Sequence, residues 1–236
     1  MTNPWRAVCL TLFPDLFPGP LGTSVTGAAL QKGLWDLKTL NFRDFAYDKH
    51  RSVDDSPAGG GAGMVMRPDV AARTIDAALD LAPQARPIYL SPRGRPFNQA
   101  MAKDLSQSQG LILLCGRFEG VDERVIEARG LQEVSIGDFV MTGGEMAAMC
   151  LLDAVIRLRP GVVGSSESLE EESFEQGLLE HPHYTRPREF EGKQIPEVLL
   201  QGNHEHIRQW RMERSEQITK ERRPDLWNIY KKGHSN

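Results

Sequence analysis

The chain has 236 residues, 40% of them hydrophobic and 25% charged, with a formal net charge of −4. That balance suits a globular chain with room for a sizeable core, and no apolar run reaches the roughly eighteen residues a membrane span needs. The start, MTNPWRAVCLTLFPD, sets a charge and Pro14 where an export signal stays apolar, and Cys9, Cys115 and Cys150 are odd in number in apolar surroundings, so buried free thiols in a reducing cytoplasm are expected.

Residues 6–12 and 34–42 read as strands, with a short helix between Gly22 and Gly33. A long irregular stretch, Arg43 to Gly63, ends in PAGGGAG. A helix follows Pro68, with Asp69 in its first turn and apolar positions at Val70, Ala71, Ile75, Ala78 and Leu79. Next come a strand over Pro87–Leu90, a loop over SPRGRPF and a helix over Asn98–Leu105. Strand 111–115, helix 121–129, strand 131–136 and a long helix from about Gly144 to Leu158 complete the pattern. Strands alternating with helices predict a parallel sheet covered on both faces.

Pro160-Gly161 ends that helix, and residues 1–163 are expected to form one domain. Residues 164–176 hold five acids and no Lys or Arg, which reads as an acidic interdomain linker. Residues 177–236 carry 11 basic and 9 acidic side chains and read as a small all-α domain, with helices over Glu205–Arg223 and Asp225–Lys232.

The most informative segments are two glycine turns, LLCGRFEGVDER and VSIGDFVMTGGE, each placed straight after an apolar run. The runs break at Gly116 and Gly137 and deliver Glu119 and Asp138 within three residues. Strands ending in such turns build ligand clefts in open α/β sheets, so the two turns suggest one cleft. The AGGGAGM loop, with Gly59, Gly60, Gly61 and Gly63, can offer backbone N–H groups to an anion, or can be only a flexible loop. It lacks the Lys-Ser/Thr ending of a Walker loop. Arg93 and Arg95 in YLSPRGRPF can meet phosphate or be solvated surface charges. His181, His183, His204 and His206 form two HxH pairs; on a helix such pairs face apart and no cysteine joins them, so no metal site is expected. Arg157, near the end of the long helix, is also what the helix dipole alone favours.

Together these segments, with LTLFPDLF, RPGVVG, ESFEQGLLEHPHYTRP, IPEVLLQGNHEHIRQWR and ERRPDLW in order, resemble the bacterial tRNA (guanine-N1)-methyltransferases over essentially the whole chain. The resemblance implies S-adenosylmethionine as methyl donor and a homodimer of the SPOUT class, with a deep trefoil knot. The knot would be formed by the loops after Tyr89, Cys115 and Val134. This departs from the general rule that chains do not thread their own loops. Positions matching the family's cofactor contacts are Leu90, Ser91, Pro92, Gly94, Gly116, Arg117, Glu119, Gly120, Ile136, Gly137, Asp138, Phe139, Val140, Met141, Gly143 and Gly144. Substrate contacts are expected at Gly59, Gly60, Gly61, Arg208 and Arg211.

The implied reaction methylates N1 of the guanine immediately 3′ of the anticodon. That nitrogen carries a proton, so a base is needed, and charge built on O6 calls for a cation. The matching arginine is Arg157. Glu172 stands where the family pattern has an aspartate, with Glu170 and Glu171 as alternatives. Ala58 and Ala62 stand where an aromatic residue and a proline are expected. The family is described as magnesium-dependent, and Glu119 is the carboxylate best placed to take part. Rival readings are another knotted-class RNA methyltransferase, a non-catalytic RNA-binding protein, and a nucleotide-binding module with no RNA partner.

Overall fold

The computed structural model describes residues 4–164 and 172–233. The chain divides into two compact units, Met1–Gly164 and Ser165–Asn236. The first holds a five-stranded parallel sheet in the order β2-β1-β6-β5-β7. Its strands are β1 (Trp5–Thr11), β2 (Trp35–Asn41), β5 (Arg86–Pro96), β6 (Gly110–Cys115) and β7 (Gln132–Ser135). β3 (Asp54–Asp55), inside the stretch expected to be irregular, and β4 (Val65–Met66), just after it, form a separate antiparallel pair.

Helices cover both faces of this sheet, and that explains the strand sequences. All six residues of β6, GLILLC, are buried, as a central parallel strand requires. Leu111 and Leu113 face one core with Ala7, Cys9, Ile88 and Leu90, against α3 (Gln99–Ser106) and α5 (Glu145–Ile156). Ile112 and Leu114 face the other with Val8, Leu10 and Tyr89, against α2 (Pro68–Leu81) and α4 (Glu123–Ala128). The alternation follows from the two-residue period of a strand. Each such buried aliphatic side chain contributes roughly 1.5–3 kcal/mol relative to exposure.

Helix starts follow local chemistry. α2 begins at a proline with Asp69 in its first turn, and α3 is capped by Asn98, whose side chain accepts from Met101 N at 2.9 Å. α1 (Ser24–Gln31) joins β1 to β2.

Two expectations are corrected. SPRGRPF is not simply a loop, because β5 continues to Pro96. The chain bulges between Leu90 and Arg95 and both residues pair with Val134, so it leaves the edge of β7 and returns to it. Cys150 is exposed, whereas Cys9 and Cys115 are wholly buried. It occupies the outward stripe of α5 with Met146 and Asp153, while the apolar positions around it turn inward.

The second unit contains α6 (His204–Arg222) and α7 (Pro224–Gly233). Asn203 caps α6 by accepting from Glu205 N and His206 N. The unit is not wholly helical: β8 (Glu189–Phe190) and β9 (Lys193–Gln194) form a short antiparallel pair across Glu191-Gly192. Buried Ser215 and Thr219 face inward on α6, and Thr219 Oγ1 accepts from Leu179 N at 2.8 Å. No helix among the described residues is long and apolar enough to cross a membrane.

Candidate active site

β6, β5 and β7 are neighbours and parallel, so the turns after β6 and β7 emerge beside the bulge of β5. They enclose a cavity of about 410 Å³. Leu90, Ser91 and Pro92 line it from the first segment, the bulge within β5, and Gly116, Arg117, Glu119 and Gly120 from the second, the turn after β6. The third, the turn after β7, contributes Ile136, Gly137, Phe139, Val140, Met141, Gly143 and Gly144. Gly94 and Asp138 are not in the lining.

Gly94 has another task. A Cβ there would lie 2.3 Å from Val134 N, so the absent side chain lets the returning β5 backbone press on β7. Gly144 allows the same closeness: its N–H donates to Gly116 O at 3.0 Å, and a Cβ would stand 2.7 Å from Cys115 Cα. The third turn is thereby held against the end of β6.

Arg117 and Glu145 lock this arrangement. Glu145 is 1% exposed and accepts from Thr11 Oγ1 at 2.7 Å and from Arg117 Nε at 3.3 Å. Its other oxygen lies 3.0 Å from Arg117 Nη2, an ion pair without hydrogen-bond alignment. Arg117 also donates to Thr142 O at 3.0 Å, and its guanidinium sits 4.3 Å from the centroid of the Phe13 ring. One cation thus joins the turns after β6 and β7, the start of α5 and the segment after β1.

Sequence reasoning missed Glu145, although an acid opening an otherwise apolar helix was a readable signal. It also missed Tyr89, which lines the cavity and packs under Gly116, where a Cβ would meet its ring at 2.8 Å. Burial pushes the Tyr89 phenol above its ordinary range, against an opposing hydrogen bond from the Val121 backbone. Arg93 lines the cavity but pairs with Glu123 at 2.8 Å and Glu133 at 3.3 Å. Hydrogen bonding to Glu123 raises its pKa further.

The glycine loop reaches the same region. Glu119 N donates to Met64 O at 2.9 Å and Met66 N to Gly120 O at 2.8 Å, so the loop's end is stitched to the β6 turn. A Cβ on Gly63 would lie 2.4 Å from Glu119 Oε1. Gly59, Gly60 and Gly61 are exposed outside the cavity lining; their φ values of 89°, 78° and 126° explain the choice of glycine.

Arg157 caps the end of α5, half-buried and outside this lining. In the second unit Glu172, Arg208 and Arg211 come together on a cavity of about 190 Å³, with His181, Met212 and Ser215 among its walls. Glu170 and Glu171 lie outside the described residues.

A family model described as tRNA (Guanine-1)-methyltransferase TrmD matches residues 6–229. A tRNA (guanine-N(1)-)-methyltransferase of Mesorhizobium japonicum is 61% identical over 94% of this chain and 96% of its own. The protein of the same name from Rhodospirillum rubrum is 59% identical over 95% of this chain and 93% of its own. That of Ruegeria pomeroyi is 60% identical over 94% and 92%.

Proposed function

The chain belongs to the tRNA (guanine-1)-methyltransferase family, and on that premise we propose that it methylates N1 of the guanine immediately 3′ of the tRNA anticodon. The observation that carries this reading is the closure of the β5 bulge and two strand-end turns around one cavity. The cavity suits S-adenosylmethionine: it falls in the size range of small-molecule sites, and its glycine turns bring backbone polar groups close to a ligand. When bound, that cofactor supplies an electrophilic methyl group on a sulfonium. Leu90, Ile136 and the glycine turns would hold and orient it, while Arg117 and Glu145 keep the turns in register.

Glu172 would take the N1 proton of the guanine as N1 accepts the methyl group that the cofactor supplies. Arg157 stabilises the charge that deprotonation moves onto O6. Glutamate in place of the family's aspartate adds one methylene and keeps the proton chemistry. Arg208 and Arg211 on α6 supply phosphate contacts whose contribution falls with salt. Glu119, which lines the cavity, is the carboxylate that would hold a magnesium ion there. The cofactor unit is read as a trefoil knot of the SPOUT class, working in the cytoplasm. The active protein is read as a homodimer, with each site shared between chains.

The test is transfer of labelled methyl from S-adenosylmethionine to an unmodified tRNA transcript, followed by digestion to nucleosides. N1-methylguanosine is expected from the wild type, with near-silence from Glu172→Gln; a 2′-O-methylated product would replace this reading with a ribose methyltransferase. Mixed dimers of Arg157→Ala and Glu172→Gln chains should regain one competent site. Mixed dimers as inactive as both parents would end the shared-site reading.

A further inference from the structure

Among the described residues, one group of three potential ligands converges: Glu180, His181 and His183 each place a ligating atom within 4.8 Å of the other two. The helical objection to an HxH pair does not apply here, because residues 180–185 lie in neither helix nor strand. Extended backbone lets residues i and i+2 turn the same way, and the two imidazole rings lie 4.8 Å apart between centroids. His204 and His206, by contrast, open α6 and are exposed.

The second observation is the state of His181. The residue is 9% exposed, and Nδ1 lies 3.2 Å from Pro182 O. A carbonyl only accepts, so Nδ1 is the donor in that contact, and the tautomer with its proton there leaves Nε2 as the ligating nitrogen. That nitrogen is buried with no hydrogen-bond partner among the described residues. A backbone carbonyl fixing one ring nitrogen is how metal-ligating histidines are set in tautomer and orientation. A buried lone pair without a donor is a group that a cation satisfies. His183 Nε2 lies 2.8 Å from Glu180 Oε1, so an ion entering there replaces that contact.

We propose that Glu180, His181 and His183 form a binding site for a zinc-class divalent cation, separate from the strand-end cavity. Two imidazoles and one carboxylate suit zinc or cobalt and disfavour magnesium, which takes oxygen ligands in octahedral array. Three protein ligands leave one position for water. The site ties residues 180–183 together beside α6, whose Trp210 ring packs 6.5 Å from His181 and 6.1 Å from Tyr184.

The test uses the full chain stripped of metal and titrated with Co²⁺, read by visible absorption and calorimetry, then with Zn²⁺ in competition. One Co²⁺ per chain is expected, with ligand-field bands of a low-coordinate site that Zn²⁺ bleaches. His183→Gln alters an exposed side chain and should keep the fold, and Glu180→Gln is nearly isosteric. Each should weaken binding on the order of tenfold or more. The His204→Ala/His206→Ala pair should bind as the wild type does. Absence of stoichiometric uptake, or equal affinity in His183→Gln and Glu180→Gln, would overturn the proposal. Loss confined to the His204/His206 variant would overturn it as well.

Discussion

Gly144→Ala is the sharpest perturbation of the strand-end cavity. The added Cβ would stand 2.7 Å from Cys115 Cα and 3.0 Å from Gly116 N, both backbone atoms at the end of β6. Carbon pairs rest at about 3.5–4.0 Å, so the turn must retreat by roughly 1 Å. Overpacking of this kind costs about 1–3 kcal/mol, which in a chain of this size lowers Tm by about 2–12 °C. The same retreat stretches the bond from Gly144 N to Gly116 O and moves the third wall of the cavity. A misplacement near 1 Å can lower a reaction rate by about a hundredfold. The assays are thermal unfolding, calorimetry with S-adenosylhomocysteine, and single-turnover methyl transfer. Gly164→Ala is the control, since a Cβ there meets nothing within 4 Å and its backbone is ordinary. Wild-type Tm and ligand affinity in Gly144→Ala would refute the claim that contact with β6 holds the turn.

Glu145→Gln should destabilise by about 1–3 kcal/mol, because it leaves the Arg117 guanidinium without its counter-charge; loss of binding without loss of stability would argue for a direct ligand contact instead. Asp76 pairs with Arg129 at 2.8 Å, and that hydrogen bond holds its carboxyl below the ordinary value of 3.8. A depressed carboxylate stabilises above its unfolded pKa and loses that contribution as pH falls through the folded one. The Tm gap between wild type and Asp76→Asn should therefore be present above about pH 4 and vanish in stronger acid. Solvent screening keeps it within roughly 1 kcal/mol, and a gap independent of pH would count against the pair. Thiol labelling of the native chain should reach Cys150 first; Cys9 and Cys115 are buried, which raises their pKa, and should react only on unfolding. Equal rates at all three positions would contradict the packing of β1 and β6.

The sequence by itself determined the alternation of strands and helices, the two covered faces of the sheet and the strand-end turns. Each of these is written in short-range pattern: GLILLC reads as a doubly buried strand, and glycine directly after it reads as a turn. The family resemblance added most of the residues that line the cavity, though not Tyr89, since no periodicity marks Ser91 or Met141 as facing a ligand. Tertiary structure decided what depends on which segments meet. It set Glu145 under Arg117 and Thr11, residues 28 and 134 positions away, and so turned an apparent helix-start acid into a buried clamp. It returned Arg95 to the edge of β7 after a bulge that SPRGRPF shows only as turn residues. It also kept residues 180–185 out of helix, and so brought together two histidines that a helix would have turned apart. Short-range chemistry fixes where a chain turns; which distant side chain fills the space beside the turn is fixed only when the chain packs.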